Sequence, residues 1–215
     1  MNDKIGILGA GRFGTALAVL VAQKHDVLIY TRQEENIRSI NEQHIHSYLG
    51  YKLSEKIQAT NDASAFCNNC RLIFPVVPSE NFRKVMQSFS SYLKPYHILI
   101  HGTKGLDVAP EKLAQEPLNL HRKEVYTMSE IIEHETQVLR TGCVSGPNLA
   151  EEIMDGQPTA TVIASEYKEV IEQGKNALNC SVFRVFESRG IHGAELAGAF
   201  KNIIAIGSGI LQGRG

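Results

Sequence analysis

Three glycines, Gly9, Gly11 and Gly14 in GAGRFG, stand between an apolar tetrapeptide and an alanine-rich helical pattern. In a G-x-G-x-x-G arrangement the first glycine permits a tight turn, the second lets backbone approach a pyrophosphate, and the third lets helix and strand pack closely. Anionic oxygens then meet the free N–H groups of a helix N-terminus. The spacing points to a bound dinucleotide; the plain alternative is a glycine-rich turn at an ordinary strand end. Strand, turn, helix and second strand all fall within the roughly 30 residues of a βαβ unit, which supports the first reading. Where an NAD-restricted site places Asp or Glu to bind the ribose hydroxyls, this chain has Thr31 and Arg32. A guanidinium suits a 2′-phosphate, so NADPH is expected to be accepted, even preferred, unless Arg32 is a solvated loop cation.

Two lysines could do proton chemistry. Lys104 sits on a glycine-flanked loop, HGTKG, at the carboxyl end of a predicted strand, where open α/β sheets bind ligands. Lys201 interrupts a strongly apolar helical segment. A positioned ammonium can stabilise negative charge developing on a carbonyl oxygen and deliver a proton to it. Two such cations at one site would depress a lysine pKa. Spacing alone leaves open that Lys104 is a surface loop lysine and that Lys201 snorkels beside its helix. His101 and His192 each stand without an evident partner and are expected in ordinary loop or core roles, and Glu195 is expected to orient or neutralise a neighbour on its own helix. Of four cysteines, Cys67 and Cys70 form one CxxC with no second pair at ligand spacing, so incidental thiols and no metal site are expected.

These residues need rigid elements to hold them. Apolar runs alternate with helical patterns, the signature of an α/β, Rossmann-type, mainly parallel sheet. Strands are predicted in KIGILG, DVLIYT, around 57–60, RLIFPVVPS, HILIHG, GCVSG, TATVIAS and VFRVFES. Between them fall helices in GTALAVLVAQK, with Ala16, Leu17, Leu20 and Val21 on one face, in EENIRSINEQ, and in a short segment capped by Asn61 or Asp62. Others are predicted in ENFRKVMQSFSSYL, with Phe82, Val85, Met86 and Phe89 on one side, in SEIIEHE and in EVIEQGKNAL, while NLAEEI starts a helix with Pro147 at an early position. Residues 1–189 are read as the nucleotide-binding domain and 190–215 as the first helix of an all-helical C-terminal domain. That last segment, HGAELAGAFKNIIAIGSGILQG, is apolar almost all round and is expected to be a buried core helix, since Glu195 and Lys201 would be costly within a membrane span.

Composition narrows the classes. The 215 residues are 43% hydrophobic and 21% charged with a formal net charge of -1, which lacks the basic excess of a nucleic-acid binder. The amino terminus enters IGIL at once, without the long apolar run of a secretory signal, so a cytoplasmic location is expected.

With GAGRFGTALA, HGTKGLD, SGPNLAEEI and ELAGAFKNIIAIGSGILQG in this order, the sequence resembles bacterial NAD(P)-dependent glycerol-3-phosphate dehydrogenases over essentially its whole length. The resemblance implies interconversion of sn-glycerol 3-phosphate and dihydroxyacetone phosphate with NAD(P)H, in glycerophospholipid synthesis. It implies cofactor contacts at Arg12, Phe13, Arg32, Lys104 and Ala150 beside the three glycines, and substrate contacts at Lys104, Gly146, Asn148 and Lys201, with Lys201 the catalytic proton donor and acceptor and Lys104 its neighbour. Asn148 stands where a small hydroxyl residue is commoner, and Gly190 where aspartate is usual. The family continues into a helical substrate domain with an acidic residue and an Arg-Asn pair, absent after Gly215, so this chain is expected to bind cofactor but to turn over weakly or not at all. A longer chain, a homodimer partner, or fraying would account for the uncovered apolar helix. The other functions in view are a dehydrogenase of another small hydroxy substrate and a non-catalytic NAD(P)-binding module.

Overall fold

The structure, a computed structural model, describes residues 4–108, 112 and 120–214. Part of the polar stretch after Leu106, residues 109–111 and 113–119, lies outside the described residues.

An eight-stranded sheet organises the molecule, in the order β10-β9-β8-β5-β4-β1-β2-β3. Its strands are β1 (Ile5–Leu8), β2 (Val27–Tyr30), β3 (Ile57–Thr60), β4 (Leu72–Pro75), β5 (Ile98–His101), β8 (Arg140–Ser145), β9 (Thr159–Ala164) and β10 (Phe183–Ser188). All neighbouring pairs run parallel except β8 and β9, as a mainly parallel Rossmann-type sheet requires. Pro75 closes β4 rather than interrupting it, so its missing N–H costs the ladder little.

The central strands read as unbroken apolar runs because both faces are covered. Successive residues feed different cores: Ile5, Ile7, Val27, Ile29, Phe74, Ile98 and Ile100 enter one, while Leu8, Leu28, Ile73 and Leu99 enter the other. The first core is closed by α1 (Arg12–Ala22), α6 (Ala150–Met154) and α7 (Lys168–Leu178). The second is closed by α3 (Ala63–Asn69), α4 (Ser79–Phe89) and α5 (Met128–Glu135). On α1 the predicted face of Ala16, Leu17, Leu20 and Val21 is buried, and on α4 Phe82, Met86 and Phe89 are buried with Val85 partly so. Asp62 caps α3 by accepting from the N–H of Ala65, at 2.9 Å. Helix α2 (Glu34–Arg38) runs into a π-helical turn, Ser39–Gln43, that ends at His44 with φ of 54°.

Three features depart from the sequence reading. Pro147 precedes α6 by three residues instead of opening it, because Leu149 is the residue at which the chain turns into the helix. A small antiparallel pair, β6 (Asp107–Val108) with β7 (Val125–Tyr126), is not visible as an alternating pattern at two residues per strand. It is tied to α4 by Arg83, which bridges Asp107 at 2.8 Å and Glu135, and lies over the Tyr126 ring. The last helix, α8 (Ile191–Arg214), is only partly a core element. Ile191 and Glu195 are buried, whereas Ile203, Ile204, Ile206, Ile210 and Leu211 are exposed, since no described segment packs on that half of the helix.

Candidate active site

The turn from β1 into α1 separates two reasons for glycine. At Gly9, φ is +123°, and a Cβ there would meet the Val76 carbonyl oxygen at 2.9 Å. A Cβ on Gly14 would stand 2.1 Å from the Gly9 carbonyl oxygen, so the close packing of helix on strand excludes any side chain. Gly11 is different: its φ of -74° suits any residue, and a Cβ would have nothing within 4 Å. Among the described residues nothing requires glycine there, and the backbone at Gly11 is open to approach from the cleft. Gly11 also starts α1 without a capping side chain, and the first turn holds no acidic residue, so the helix end presents unpaired N–H groups and positive potential.

A cleft of about 770 Å³ opens beside this turn. It is lined by Gly9, Gly11 and Arg12 from the turn, Thr31 and Arg32 after β2, His46 and Tyr48 from the following loop, Val76 and Val77 after β4, and Lys84 and Ser88 from α4. No Asp or Glu is among its lining residues. A dinucleotide fits on these observations: room for it, an open approach at Gly11, and two lining cations, Arg32 and Lys84, that have no carboxylate partner among the described residues. Phe13 packs against Gly102 behind the turn instead of lining the cleft. The Arg12 guanidinium meets Glu151 of α6 at 2.8 Å, an exposed pair.

His46 is a residue that sequence reasoning missed. It is buried, its Nδ1 accepts from the N–H groups of Tyr48 and Leu49, and its Nε2 donates to the Ala10 carbonyl oxygen at 2.8 Å. The tautomer is assigned from these partners. His46 thereby clamps the carbonyl between the first two glycines. Nothing in the irregular segment around it signals this role, because the contact spans two separate loops.

A second cluster lies where β5, β8 and α8 meet. The Lys104 ammonium donates to the Gly146 carbonyl oxygen at 3.1 Å, and the loop carrying it is anchored by Thr103, whose hydroxyl donates to the Val77 carbonyl at 2.7 Å. Burial lowers the Lys104 pKa, and the neighbouring charge of Lys201 lowers it further. Asn148, buried just past Gly146, donates from Nδ2 to the Thr161 hydroxyl at 2.8 Å. Thr161 in turn donates to the Ser145 carbonyl at 3.2 Å, and the buried Oδ1 of Asn148 has no hydrogen-bond partner among the described residues. Lys201 also borders a smaller cavity of about 390 Å³ with Pro147, Leu149 and Glu152. Ala150 begins α6 between the two groups and packs on the core.

The histidines correct the sequence reading. His101 has a partner after all: its Nε2 donates to Glu195 Oε1 at 2.9 Å, with both side chains 2% exposed. The same carboxylate accepts from the Ser129 N–H at 2.9 Å and the Ser129 hydroxyl at 2.7 Å. Glu195 therefore works mainly across elements rather than along its own helix, where His192 Nδ1 lies 3.9 Å away. Burial alone would raise the Glu195 pKa; the bond and charge of His101 and the two bonds from Ser129 outweigh it and hold the carboxyl at about 2. With the Ser145 hydroxyl donating to the Ala194 carbonyl at 2.7 Å, these bonds dock the first turns of α8 and so place Lys201. Cys67 and Cys70 are buried and in no disulfide among the described residues, and burial pushes Cys67 up to about 12. Among the described residues no cluster of three His, Cys, Asp or Glu could hold a metal.

The sequence profile described as "NAD-dependent glycerol-3-phosphate dehydrogenase N-terminus" matches residues 4–171. Glycerol-3-phosphate dehydrogenase [NAD(P)+] of Acinetobacter baumannii (strain SDF) is 37% identical over 210 residues, covering 96% of this chain and 55% of that protein. Its counterpart in Halothermothrix orenii is 35% identical over 218 residues, covering 100% and 60%. The crystal structure of glycerol-3-phosphate dehydrogenase from Coxiella burnetii superposes with a TM-score of 0.84 at 28% identity, covering 99% of this chain and 62% of that one. The chain thus spans 55% to 60% of the length of these curated relatives.

Proposed function

Because the chain belongs to the NAD-dependent glycerol-3-phosphate dehydrogenase family, we propose that it carries the nucleotide site and the proton-transfer lysines of an enzyme interconverting sn-glycerol 3-phosphate and dihydroxyacetone phosphate with NAD(P)H. The observation that carries this reading is that Lys104, bonded to the Gly146 carbonyl, has the ammonium of Lys201, from a distant part of the chain, close enough to lower its pKa.

The nucleotide would be held by the Gly9, Gly11 and Gly14 turn, with Arg12 and Ala150 around it and Arg32 at its ribose. The reduced nicotinamide, when bound, supplies the hydride. Lys201 then gives a proton to the carbonyl oxygen of dihydroxyacetone phosphate, and takes one back in the reverse direction. Lys104, steered by the Gly146 carbonyl, neutralises charge on that oxygen, and its lowered pKa eases release of its proton. The substrate phosphate falls in the field of both ammonium groups.

Residues 191–214 are long and apolar enough to cross a membrane by length and composition. The buried bonds of Glu195 argue instead for a helix docked on the sheet. Its exposed isoleucines suit cover by the remaining length of the relatives or by a second copy of the chain.

The test is single-turnover oxidation of NADPH by dihydroxyacetone phosphate under excess protein, with wild type and Lys201→Ala. Oxidation in wild type that disappears in Lys201→Ala at unchanged nucleotide affinity is expected. Equal oxidation in both, or none in either, overturns the assignment.

A further inference from the structure

We propose that Lys84 is a second cation for a phosphorylated ribose, facing Arg32 across the nucleotide cleft. The inference rests on the dinucleotide reading above and goes beyond it in assigning specificity to α4, an element outside the glycine motif.

Two walls form this part of the cleft. One is the chain after β2, where Thr31 and Arg32 occupy the place from which a carboxylate would bind the ribose hydroxyls. The other is α4, which turns Asn81, Lys84, Val85 and Ser88 towards the cleft at helical spacing i, i+3, i+4 and i+7. The rotation of α4 is set by its opposite face: Phe82 and Met86 are completely buried in the second core. Lys84 therefore cannot be turned away from the cleft without unpacking that core.

The charges on these walls are uncompensated. Among the described residues neither Arg32 nor Lys84 has a carboxylate within ion-pair distance, in contrast to Arg12, which is bridged to Glu151. Glu80, one turn before Lys84 on α4, makes no ion pair with it. The diphosphate of any dinucleotide is served by the Gly11 turn and the end of α1, so two further free cations answer to a further anion. A ribose 2′-phosphate carries that charge and NADH lacks it. Arg32 supplies a planar fork and Lys84 a mobile point charge, which together can contact more phosphate oxygens than either alone.

The experiment measures dissociation constants of NADPH, NADH, adenosine 2′,5′-bisphosphate and 5′-AMP for wild type, Lys84→Gln, Arg32→Gln and the double variant. Lys84 is exposed, so its replacement should leave the melting temperature unchanged. Lys84→Gln is expected to weaken NADPH and the bisphosphate roughly tenfold, while NADH and 5′-AMP stay within about twofold. Its effect should shrink in the Arg32→Gln background, because both groups hold one phosphate. Equal weakening of all four ligands, or no weakening of any, overturns the role of Lys84 and leaves the dinucleotide site standing. Failure of wild type to bind either dinucleotide overturns both.

Discussion

Replacing Gly11 by alanine should cost no stability and yet weaken nucleotide binding roughly tenfold or more. With φ of -74° and ψ of 179°, Gly11 already has a backbone conformation that alanine adopts freely. The added methyl would meet no atom within 4 Å, and the variant loses unfolded-chain entropy, so stability should hold or rise by about 0.4 to 1 kcal/mol. In the complex the same methyl occupies the path by which a diphosphate reaches the N–H groups at the start of α1. Each charge-assisted bond lost costs about 1.5 to 3 kcal/mol, so the loss of one or two weakens binding by roughly tenfold to roughly 20,000-fold. Gly14→Ala is the contrasting control: its methyl would lie 2.1 Å from the Gly9 carbonyl, and the forced shift of helix against strand should cost about 1 to 3 kcal/mol. Urea denaturation and calorimetric titration with NADPH read the two quantities separately. If Gly11→Ala binds NADPH as wild type does, the glycine is not there for a ligand; if it is destabilised as much as Gly14→Ala, the turn is packed more tightly than the structure has it.

Two titrations carry the remaining predictions. Glu195 is held at about 2, below its ordinary 4.5, so its contribution is complete above pH 4.5 and is lost as pH falls towards 2. Over that range wild type should lose about 3 kcal/mol of stability that Glu195→Gln does not lose, read by denaturant melts at each pH; parallel curves would refute the link. Lys104 is lowered first by burial and then by Lys201, so Lys201→Met should move its titration upward without fully restoring it. NMR titration of isotopically methylated lysines measures this, and an unmoved Lys104 would show that the two ammonium groups do not interact.

What the sequence determined by itself is whatever depends on neighbours along the chain. GAGRFG announces the turn because its demands, positive φ at Gly9 and a missing side chain at Gly14, are met within six residues. The strands of the sheet and the buried face of α1 follow from periodicity, and Asp62 as a cap from its place before α3. The lysines of the site were legible by resemblance alone, since spacing left Lys104 and Lys201 as ordinary cations. Only the tertiary structure decided the rest. His101 and Glu195 form a buried pair because β5 and α8 meet there, and His46 reaches Ala10 because two loops are brought together. Likewise Lys84 faces the cleft because Phe82 and Met86 orient α4 from below, and the apolar end of α8 is bare because burial depends on what lies opposite and not on how apolar a segment is. Short-range sterics can be read from adjacent residues, whereas a hydrogen bond or a charge across a cleft exists only once the sheet has set two distant segments side by side.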